Sequence, residues 1–583
     1  MRRFPGRPVR LVVYSYLMLS ALPFLPLSLG REVTDTGLLA AATLFSWIAA
    51  WAVFKRPALF HVLLLPAFLA LPVEIYLQIY FGQSISVHHL GIIAETSPGE
   101  ALEFLGNKAW LLLALSLLML VWFALCWRAA WQTHAMDWRG PSRFIALALM
   151  SIGVGLWLAG GALGIGASAV GQQSTTLPAW ARITVNAEVL ARSWPYGIVM
   201  NAESYRKERR YLAQLAARSA SFRFGAHQAS HPDTPQVVVM VLGESSRADR
   251  WRLNGYARDT NPLLAQEANL VSLSDMITPV SATRLSVPVI LSRKPATQSL
   301  RAGFAETSFL SAYREAGFKT FWLSNQMSFG EFDTPVSVFA KEADVTRFFN
   351  LGGFTNRSDF DDVLLAPLQA AIMDPAPKKL IVLHTLGNHW NYSHRHPREF
   401  DRWKPSLFGI DRPAYTSLAL KAEINNSYDN SIRYTDWLLA QVIGQLKAGP
   451  ALASMFYVAD HGQTLYDGSC KLAFHGHNTQ FEFHVPALVW YSDAYGAVHA
   501  DKVAQLRQHK GAPMSTENIF HSLLDMADIR YPGEQLHRSL FSDRLSRHVR
   551  YVDSYGWTDY DDATLKGDCR EVIGRKKPLQ REK

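Results

Sequence analysis

The sequence predicts an α-helical membrane domain with five transmembrane helices, followed by an α/β domain with a largely parallel sheet. Two observations support this. Five long apolar runs lie before residue 168 of the 583-residue chain, and each approaches or exceeds the ~20 residues that a helix needs to cross the hydrocarbon core. Beyond residue 220 the pattern changes to short apolar runs between polar loops, as in a globular domain. A chain of this length is expected to bury more than one core.

The apolar runs also predict how the chain is oriented in the membrane. The first run is longer than the core of a cleaved signal peptide and further spans follow it, so we interpret it as a retained helix. Lys and Arg number four before the first span, two in the second connection and three in the fourth, against one each in the first and third. By the positive-inside rule the N-terminus is cytoplasmic, and five spans place everything after residue 166 outside. The runs cover residues 11–29, 37–54, 58–81, 110–127 and 144–166.

The net charge of +9 does not indicate a nucleic-acid partner. Some of the cations lie in the cytoplasmic loops, some at residues 206–210 and some in the tail at 575–577, and basic residues close to a bilayer usually meet anionic lipid. For the tail, a solvated charged face is an equally consistent interpretation. Trp180, Trp194 and Tyr196 precede the 206–210 cations, which suits a segment that lies on the membrane surface. A solvent-exposed linker helix is the alternative.

The remaining boundaries follow from composition. Residues 1–168 form the transmembrane domain, 169–235 the interfacial helices and linker, 236–545 the catalytic domain and 546–583 a C-terminal basic tail. Near-continuous apolar strands alternate with helix-length segments in the third region, which predicts a sheet covered on both faces. Cys470 and Cys569 both fall outside the membrane, where a disulfide is permitted, and the sequence leaves their pairing open. The predicted strands are 237–243, 318–324, 379–385, 454–460 and 485–491.

Polar residues with metal-ligand chemistry follow three of these strands. Glu244 follows the first, His389 comes shortly after the third, and Asp460 and His461 follow the fourth. Ligands of open α/β sheets gather beyond the carboxyl ends of the strands, so we expect these side chains to share one edge. Carboxylate and imidazole ligands without a Cys cluster suit zinc or manganese. The segment FHGH adds His475 and His477.

A hydroxyl for such a metal to activate is Thr283, at the predicted start of a helix. The free backbone amides there favour an anion, and a metal-bound hydroxyl attacks phosphorus at neutral pH. An equally consistent interpretation is that Ser281 or Thr283 only caps the helix.

A set of motifs in a fixed order gives the chain a specific resemblance. VLGESSRADRWRLNGYARDTNP, the SVP segment after Thr283, LHTLGNH, YDNSIRYTD and VADHG appear in the order found in bacterial phosphoethanolamine transferases. The chain resembles this family over nearly its whole length. The resemblance implies five spans and an alkaline-phosphatase-like periplasmic domain anchored in a bacterial inner membrane. It also implies phosphatidylethanolamine as the donor and lipopolysaccharide or another envelope glycan as the acceptor.

The same resemblance implies roles for individual residues. Glu244, Thr283, Asp460 and His461 would bind the catalytic zinc, with Thr283 as the nucleophile that holds phosphoethanolamine covalently. His389 and His475 would engage the phosphoryl group or a second metal. The loop around His475 differs in length from the family, so His477 and His484 are alternatives.

Two departures from the family pattern bear on the acceptor. Members that modify lipid A usually carry a disulfide beside the nucleophile, whereas Pro279 and Val289 occupy those positions here. The segments around Phe321 and Pro375 look more like the branch that modifies heptose phosphates of the lipopolysaccharide core. A core phosphate is therefore the expected acceptor, with lipid A and periplasmic glucan behind it.

Other functions remain as rivals. A phosphatase of the same fold would use water as the acceptor, and another transferase would use phosphatidylglycerol as the donor. A sulfatase is disfavoured because the nucleophile segment lacks Cys-x-Pro-x-Arg or Ser-x-Pro-x-Arg. A binding module without activity is disfavoured because the candidate metal ligands are all present.

Overall fold

The structure, a computed structural model, forms two compact units, Met1–Lys207 and Glu208–Lys583. Trp180, much of the predicted linker and the tail cations Lys576 and Lys577 lie outside the described residues. The structure describes residues 6–28, 36–80, 84–85, 89–90, 93, 108–162, 187–219, 221–229, 234–298, 306–326, 334–350, 360–410, 413, 417–449, 451–554 and 556–575.

Among the described residues of the first unit, four helices are long and apolar enough to cross a membrane. They are Arg7–Ser28, Thr36–Phe54, Pro57–Ile79 and Trp110–Trp131. Many of their Leu, Ile, Val and Trp side chains are exposed, as contact with lipid requires. The first helix is interrupted by the 3₁₀ turn Leu22–Phe24, because Pro23 lacks the backbone donor that a regular α-helix needs.

The fifth predicted span coincides with helix Pro141–Ala162, whose part Pro141–Gly153 is apolar. Four apolar helices are thus observed, and the count of five spans stays a prediction.

The segment after the spans packs differently from the expectation. Trp194 is buried, and the ring of Tyr196 packs edge-on against Trp47 with centroids 5.2 Å apart. Both rings thus pack among the helices of the first unit, where aromatic contacts stabilise them, and do not form an exposed interfacial belt. Helices Ala187–Arg192 and Gly197–Ser219 flank them, and the second of these crosses the boundary between the units.

The second unit contains an eight-stranded sheet. Its strands are β1 (Gln236–Gly243), β2 (Leu270–Ile277), β3 (Lys319–Ser324), β4 (Val345–Phe348), β5 (Lys378–His384), β6 (Leu452–Ala459), β7 (His484–Tyr491) and β8 (Met514–Ser515). Their order across the sheet is β8-β2-β7-β6-β1-β5-β3-β4. Only β7 runs antiparallel to its neighbours, so the predicted mostly parallel sheet is confirmed.

Both faces of this sheet are covered, which explains why its strands lack polar alternation. In β1, Val238, Met240 and Leu242 join one hydrophobic cluster. Val237 and Val239 join the cluster on the other face. The helices around the sheet are α1 (Thr283–Leu291), Phe309–Glu315, Thr334–Ala340, Leu365–Ile372, α2 (Lys421–Lys447), Gln480–Phe483, Asp493–Val498, Ala500–Gln508 and Ile519–Met526.

The chain beyond residue 545 differs from the expected basic tail. Tyr551–Asp553 pairs with Trp557–Asp559, and Ala563–Lys566 pairs with Glu571–Gly574. These strands form because Val552 and Val572 bury their side chains against Ile277 and Phe483. A disulfide joins Cys470 to Cys569, which settles the pairing that the sequence left open. Two further two-residue strand pairs are His227–Gln228 with Ile529–Arg530, and Thr464–Leu465 with Ala473–Phe474.

Candidate metal centre

Glu244 directly follows β1 and is buried. The next residue, Ser245, has φ 56°, so the chain turns sharply where the strand ends. Ser245 Oγ donates to Glu244 Oε1 at 2.6 Å, and Ser245 N donates to Asp460 Oδ1 at 3.0 Å. The turn after β1 therefore fixes the carboxylate of Glu244 and contacts that of Asp460.

Asp460 and His461 follow β6, the parallel neighbour of β1. Asp460 Oδ1 accepts from the backbone nitrogens of Ser245 and His461, whereas Oδ2 is buried without a hydrogen-bond donor among the described residues. His461 Nδ1 lies 2.8 Å from the carbonyl of Gly462, so this nitrogen carries the proton. The lone pair of His461 Nε2 then faces Glu244 Oε1 at 3.4 Å and Asp460 Oδ2 at 3.6 Å.

Thr283 is the first residue of α1, and it reaches the same place from the end of β2. Its Oγ1 donates to Glu244 Oε2 at 3.1 Å and lies 3.4 Å from His461 Nε2. The structure therefore brings together all four residues that the sequence proposes as metal ligands, from three separate strand ends.

The donor set fits a metal ion. Ligand atoms of Glu244, Asp460 and His461 lie within 4.8 Å of one another, and all three residues are buried. Two buried carboxylates this close are unfavourable unless a cation accompanies them, and the buried Asp460 Oδ2 accepts no hydrogen bond from the described residues. Two carboxylates and one imidazole suit Zn²⁺ or Mn²⁺.

Two further histidines carry neutral rings near this centre. His389 Nδ1 lies 2.6 Å from the carbonyl of Trp390, and burial, with a smaller contribution from Arg395, lowers the pKa of His389 to about 3. The rings of His461 and His475 have centroids 4.5 Å apart, and burial lowers the pKa of His475 to about 2. A neutral imidazole offers a nitrogen lone pair that can bind a metal.

The other two candidate histidines bond elsewhere. His477 Nε2 contacts the carbonyl of Ala473 at 2.9 Å, and His484 Nε2 contacts the carbonyl of Ser274 at 3.0 Å. His475 is thus the one of the three whose ring packs against His461.

Sequence reasoning missed a buried amide beside the carboxylate of Glu244. Gln326 Nε2 donates to Glu244 Oε2 at 3.0 Å and to the carbonyl of Thr385 at 2.9 Å. Gln326 follows the end of β3, so the rule that located Glu244 and Asp460 applies to it as well.

Two more features hold the site loops. Asp361 accepts from the backbone nitrogens of Leu386 and Gly387, both at 2.8 Å, ahead of His389. Gly387 has φ 49°, and a Cβ there would lie 2.8 Å from the backbone nitrogen of Glu244, so only glycine fits this approach.

Arg247 is the second feature, and it is fully buried. Its guanidinium donates to Asp249 at 2.9 and 2.7 Å and to Asp467 at 2.9 Å, and it covers the ring of Phe481 at 4.1 Å. It therefore connects the loop after β1 to the segment that leads to His475. No sequence pattern of Arg247 alone signals these long-range partners.

Comparisons with known proteins show the family to which the chain belongs. The sulfatase family matches residues 236–529, which is half of the chain. Phosphoethanolamine transferase EptC of Escherichia coli (strain K12) is 28% identical over 328 residues, which cover 54% of this chain and 55% of that protein. Kdo(2)-lipid A phosphoethanolamine 7''-transferase of the same strain is 33% identical over 284 residues, covering 46% and 47%. The chain thus spans about half the length of these relatives.

A solved structure shows the same fold. The crystal structure of the C-terminal periplasmic domain of EcEptC from Escherichia coli, in complex with Zn, has 27% sequence identity and a TM-score of 0.52. The superposition covers 58% of this chain and 95% of that domain. This chain belongs to the sulfatase family, and its relatives there include phosphoethanolamine transferases.

Proposed function

We propose that this protein transfers phosphoethanolamine from phosphatidylethanolamine to a lipopolysaccharide acceptor through a covalent intermediate on Thr283. One observation carries the proposal. The hydroxyl of Thr283 lies 3.1 Å from Glu244 and 3.4 Å from His461, at a buried donor set that fits a divalent cation. A hydroxyl held at such a set is an activated nucleophile and not merely a helix cap.

The reaction has two displacements at phosphorus. In the first, Thr283 Oγ1 attacks, the bond from phosphorus to the diacylglycerol oxygen breaks, and diacylglycerol leaves with a proton. In the second, an oxygen of the acceptor attacks the same phosphorus, and the bond to Thr283 breaks. The second displacement restores the hydroxyl, so the enzyme returns to its starting state.

Different residues of the site would bind the metal and transfer protons. Glu244, Asp460, His461 and Thr283 would hold Zn²⁺, which when bound lowers the pKa of a hydroxyl and stabilises charge on phosphoryl oxygens. We assign to His389 and His475 the transfer of the proton from the attacking group to the leaving group. Burial keeps both rings neutral and weakly basic in the free enzyme, so they would take this proton only when the bound phosphoryl group favours the charged ring. A second metal held by these histidines is compatible with the same geometry.

The choice of acceptor rests on sequence features. Pro279 and Val289 stand where lipid A-modifying relatives carry cysteines, and the segments around Phe321 and Pro375 resemble the core-modifying branch. These features support a heptose phosphate of the lipopolysaccharide core, reached from the periplasmic face of a bacterial inner membrane. The 33% identity to a Kdo(2)-lipid A phosphoethanolamine 7''-transferase supports Kdo(2)-lipid A as the second candidate.

Mass spectrometry of the protein after incubation with phosphatidylethanolamine and no acceptor tests the intermediate. We expect the phosphoethanolamine mass on the peptide that contains Thr283. Thr283→Ser keeps an attacking oxygen and retains some activity, whereas Thr283→Ala retains almost none. Diacylglycerol release by Thr283→Ala at the wild-type rate, or the added mass on another residue, would refute the mechanism.

A comparison of envelope glycolipids from a deletion strain and its complemented parent identifies the acceptor. We expect phosphoethanolamine to disappear from a core phosphate in the deletion strain. Its loss only from the lipid A phosphates or from Kdo would refute the preferred acceptor while leaving the transferase assignment intact. Release of free phosphoethanolamine without any modified glycolipid would instead indicate a phosphatase.

A further inference from the structure

The C-terminal hairpin, Ala563–Lys566 paired with Glu571–Gly574, lies outside residues 236–529 that match the sulfatase family. It nevertheless contacts the segment that carries His475. We call residues 468–480 the His475 segment. Contacts with the C-terminal hairpin and its turn hold the segment on both sides of that histidine.

Before His475, the contacts are covalent and polar. The disulfide Cys470–Cys569 joins the segment to the turn of the C-terminal hairpin. Beside it, Asp568 Oδ2 accepts from the backbone nitrogen of Ser469 at 2.8 Å and from its hydroxyl at 2.7 Å.

After His475, the contacts are backbone hydrogen bonds. Gln480 N donates to the carbonyl of Arg570 at 2.9 Å, and Val572 N donates to the carbonyl of Asn478 at 3.0 Å. Val572 also buries its side chain in the cluster that contains Phe483. The segment is thus tied down about five residues before His475 and three residues after it.

The segment has little regular structure of its own to hold the histidine. Its strand content is Ala473–Phe474, a two-residue strand that pairs with Thr464–Leu465. Glu482 adds bonds from the backbone nitrogens of Gly476 at 2.8 Å and His477 at 3.0 Å. A strand pair of two residues is only marginally stable by itself. Contacts from outside the segment must therefore fix its position.

We propose that the C-terminal hairpin is a positioning element of the active site, which holds the ring of His475 against His461 through the Cys470–Cys569 disulfide and the bonds at Ser469, Asn478 and Gln480. Its effect on catalysis rests on the proposed function, since it acts through His475. Its effect on the structure of the segment does not depend on that function.

The first arm of the test measures structure in the full-length protein. Hydrogen exchange is compared between wild type and the Cys470→Ser/Cys569→Ser variant. We expect exchange of the amides in residues 468–480 to rise about tenfold, and exchange in β1 to stay unchanged, because only the former depends on the hairpin. The zinc held by Glu244, Asp460 and His461 is retained, because these ligands lie outside the segment. Unchanged protection of residues 468–480 would overturn the proposal.

The second arm measures catalysis as a double-mutant cycle. We expect Cys470→Ser/Cys569→Ser to lower turnover about 10- to 100-fold, since a displaced catalytic group costs that much. In a His475→Ala background the same change should lower turnover by no more than about twofold, because the residue through which it acts is gone. If the cysteine substitutions lowered turnover by the same factor with and without His475, the hairpin would not act through His475.

Asp568→Ala is the second variant, because it keeps the disulfide and removes only the bonds to Ser469. It should raise exchange in residues 468–480 and lower turnover, each by a smaller factor than the cysteine variant does. If the cysteine variant does not fold, unchanged exchange in Asp568→Ala would overturn the proposal. Asp543→Ala removes an exposed carboxylate elsewhere and is the matched control. Absence of any transfer by the wild type would refute the proposed function, and the exchange arm would still decide the role of the hairpin.

Discussion

At the scale of single residues, Glu244, Asp460 and His461 each have one polar atom that forms a hydrogen bond within the protein and another that could bind the metal. Glu244 Oε1 accepts from Ser245, and Asp460 Oδ1 accepts from two backbone nitrogens. Asp460 Oδ2 and His461 Nε2 lie 3.6 Å apart, and both atoms would serve as metal ligands. Each ligand is therefore oriented by a second hydrogen bond before any metal binds.

Gln326 supplies the most direct test of this orientation. Gln326→Met keeps the approximate volume and removes the donor to Glu244 Oε2, so the carboxylate loses its orientation. We expect zinc affinity to fall about 10- to 100-fold, the usual cost of losing such a partner. Competition with a chelator of known affinity measures it in the full-length protein.

Two variants bracket the result for Gln326. Gln369→Met makes the same change at an exposed helical position and should leave zinc affinity unaltered. Asp460→Ala removes a ligand outright and should lower bound zinc further. Wild-type zinc affinity in Gln326→Met would show that Glu244 is oriented without the amide.

His384 predicts a dependence of stability on pH. Burial lowers its pKa to about 3 from an ordinary value of 6.5. The unfolded chain therefore takes up a proton below pH 6.5 while the folded chain does not, so stability falls as the pH drops from 6.5 towards 3. At pH 5 this cost is roughly 2 kcal/mol for the one residue.

His384→Asn removes that titration while retaining a polar partner for Ser324, which contacts His384 at 3.1 Å. The drop in thermal midpoint between pH 7.5 and pH 5 should be smaller in the variant than in wild type. Part of the drop remains because His389, His475 and His521 are buried with lowered pKa values too. An identical drop in both proteins would contradict the prediction.

The sequence could locate the residues that follow strand ends but not their supports. Glu244, Asp460 and His461 each follow an apolar strand, and the geometry of parallel sheets then places them together. Asp361 and Arg247 act through partners 25 and 220 positions away, and a single sequence carries no signal for such pairs.

At the scale of elements, the buried strands were the predictable part. Strands at 237–243 and 379–385 were predicted, and the structure has Gln236–Gly243 and Lys378–His384. β2 was missed because it is only half buried and carries Ser272, Ser274 and Asp275 among its apolar residues. The sequence could not predict that β7 runs antiparallel. A strand buried on both faces is apolar throughout, and this pattern is the same whichever way the strand runs.

Two glycines in different elements predict opposite effects of the same substitution. A Cβ on Gly462, in the turn after β6, would lie 2.1 Å from the carbonyl oxygen of Phe481, so the turn that carries His461 must move. We expect Gly462→Ala to destabilise the protein by about 1–3 kcal/mol and to reduce bound zinc. Thermal unfolding and metal analysis measure both.

Gly444 is the matched control, because a Cβ there meets nothing within 4 Å and the residue lies inside α2. Gly444→Ala should leave zinc unchanged and stabilise the helix by up to about 1 kcal/mol. Equal effects of the two substitutions would show that the close approach at Gly462 has no importance.

At the scale of the whole molecule, the number of membrane spans decides on which side the second unit lies. An even number returns the chain to the side of its N-terminus, and an odd number leaves it on the opposite side. In the part of the chain that the structure describes, four helices have the length and composition of a span, and helix Pro141–Ala162 is the fifth candidate. With the predicted cytoplasmic N-terminus, a periplasmic acceptor requires an odd number of crossings, and this fifth helix is the candidate among the described residues.

Reporter fusions test the crossing in living cells. After Arg218, we expect a reporter that works only when exported to be active. Near Trp138, we expect a reporter that works only in the cytoplasm to be active. The reason is that Arg128, Arg139 and Arg143 flank the fourth connection, and such cations resist export. Replacing these three arginines by glutamine, with the same fusions, should weaken the asymmetry, whereas replacing Arg544 in the second unit should not. If the cytoplasmic reporter were active at both fusion points, the helix between them would not cross the membrane. The second unit would then lie in the cytoplasm, without access to a periplasmic acceptor.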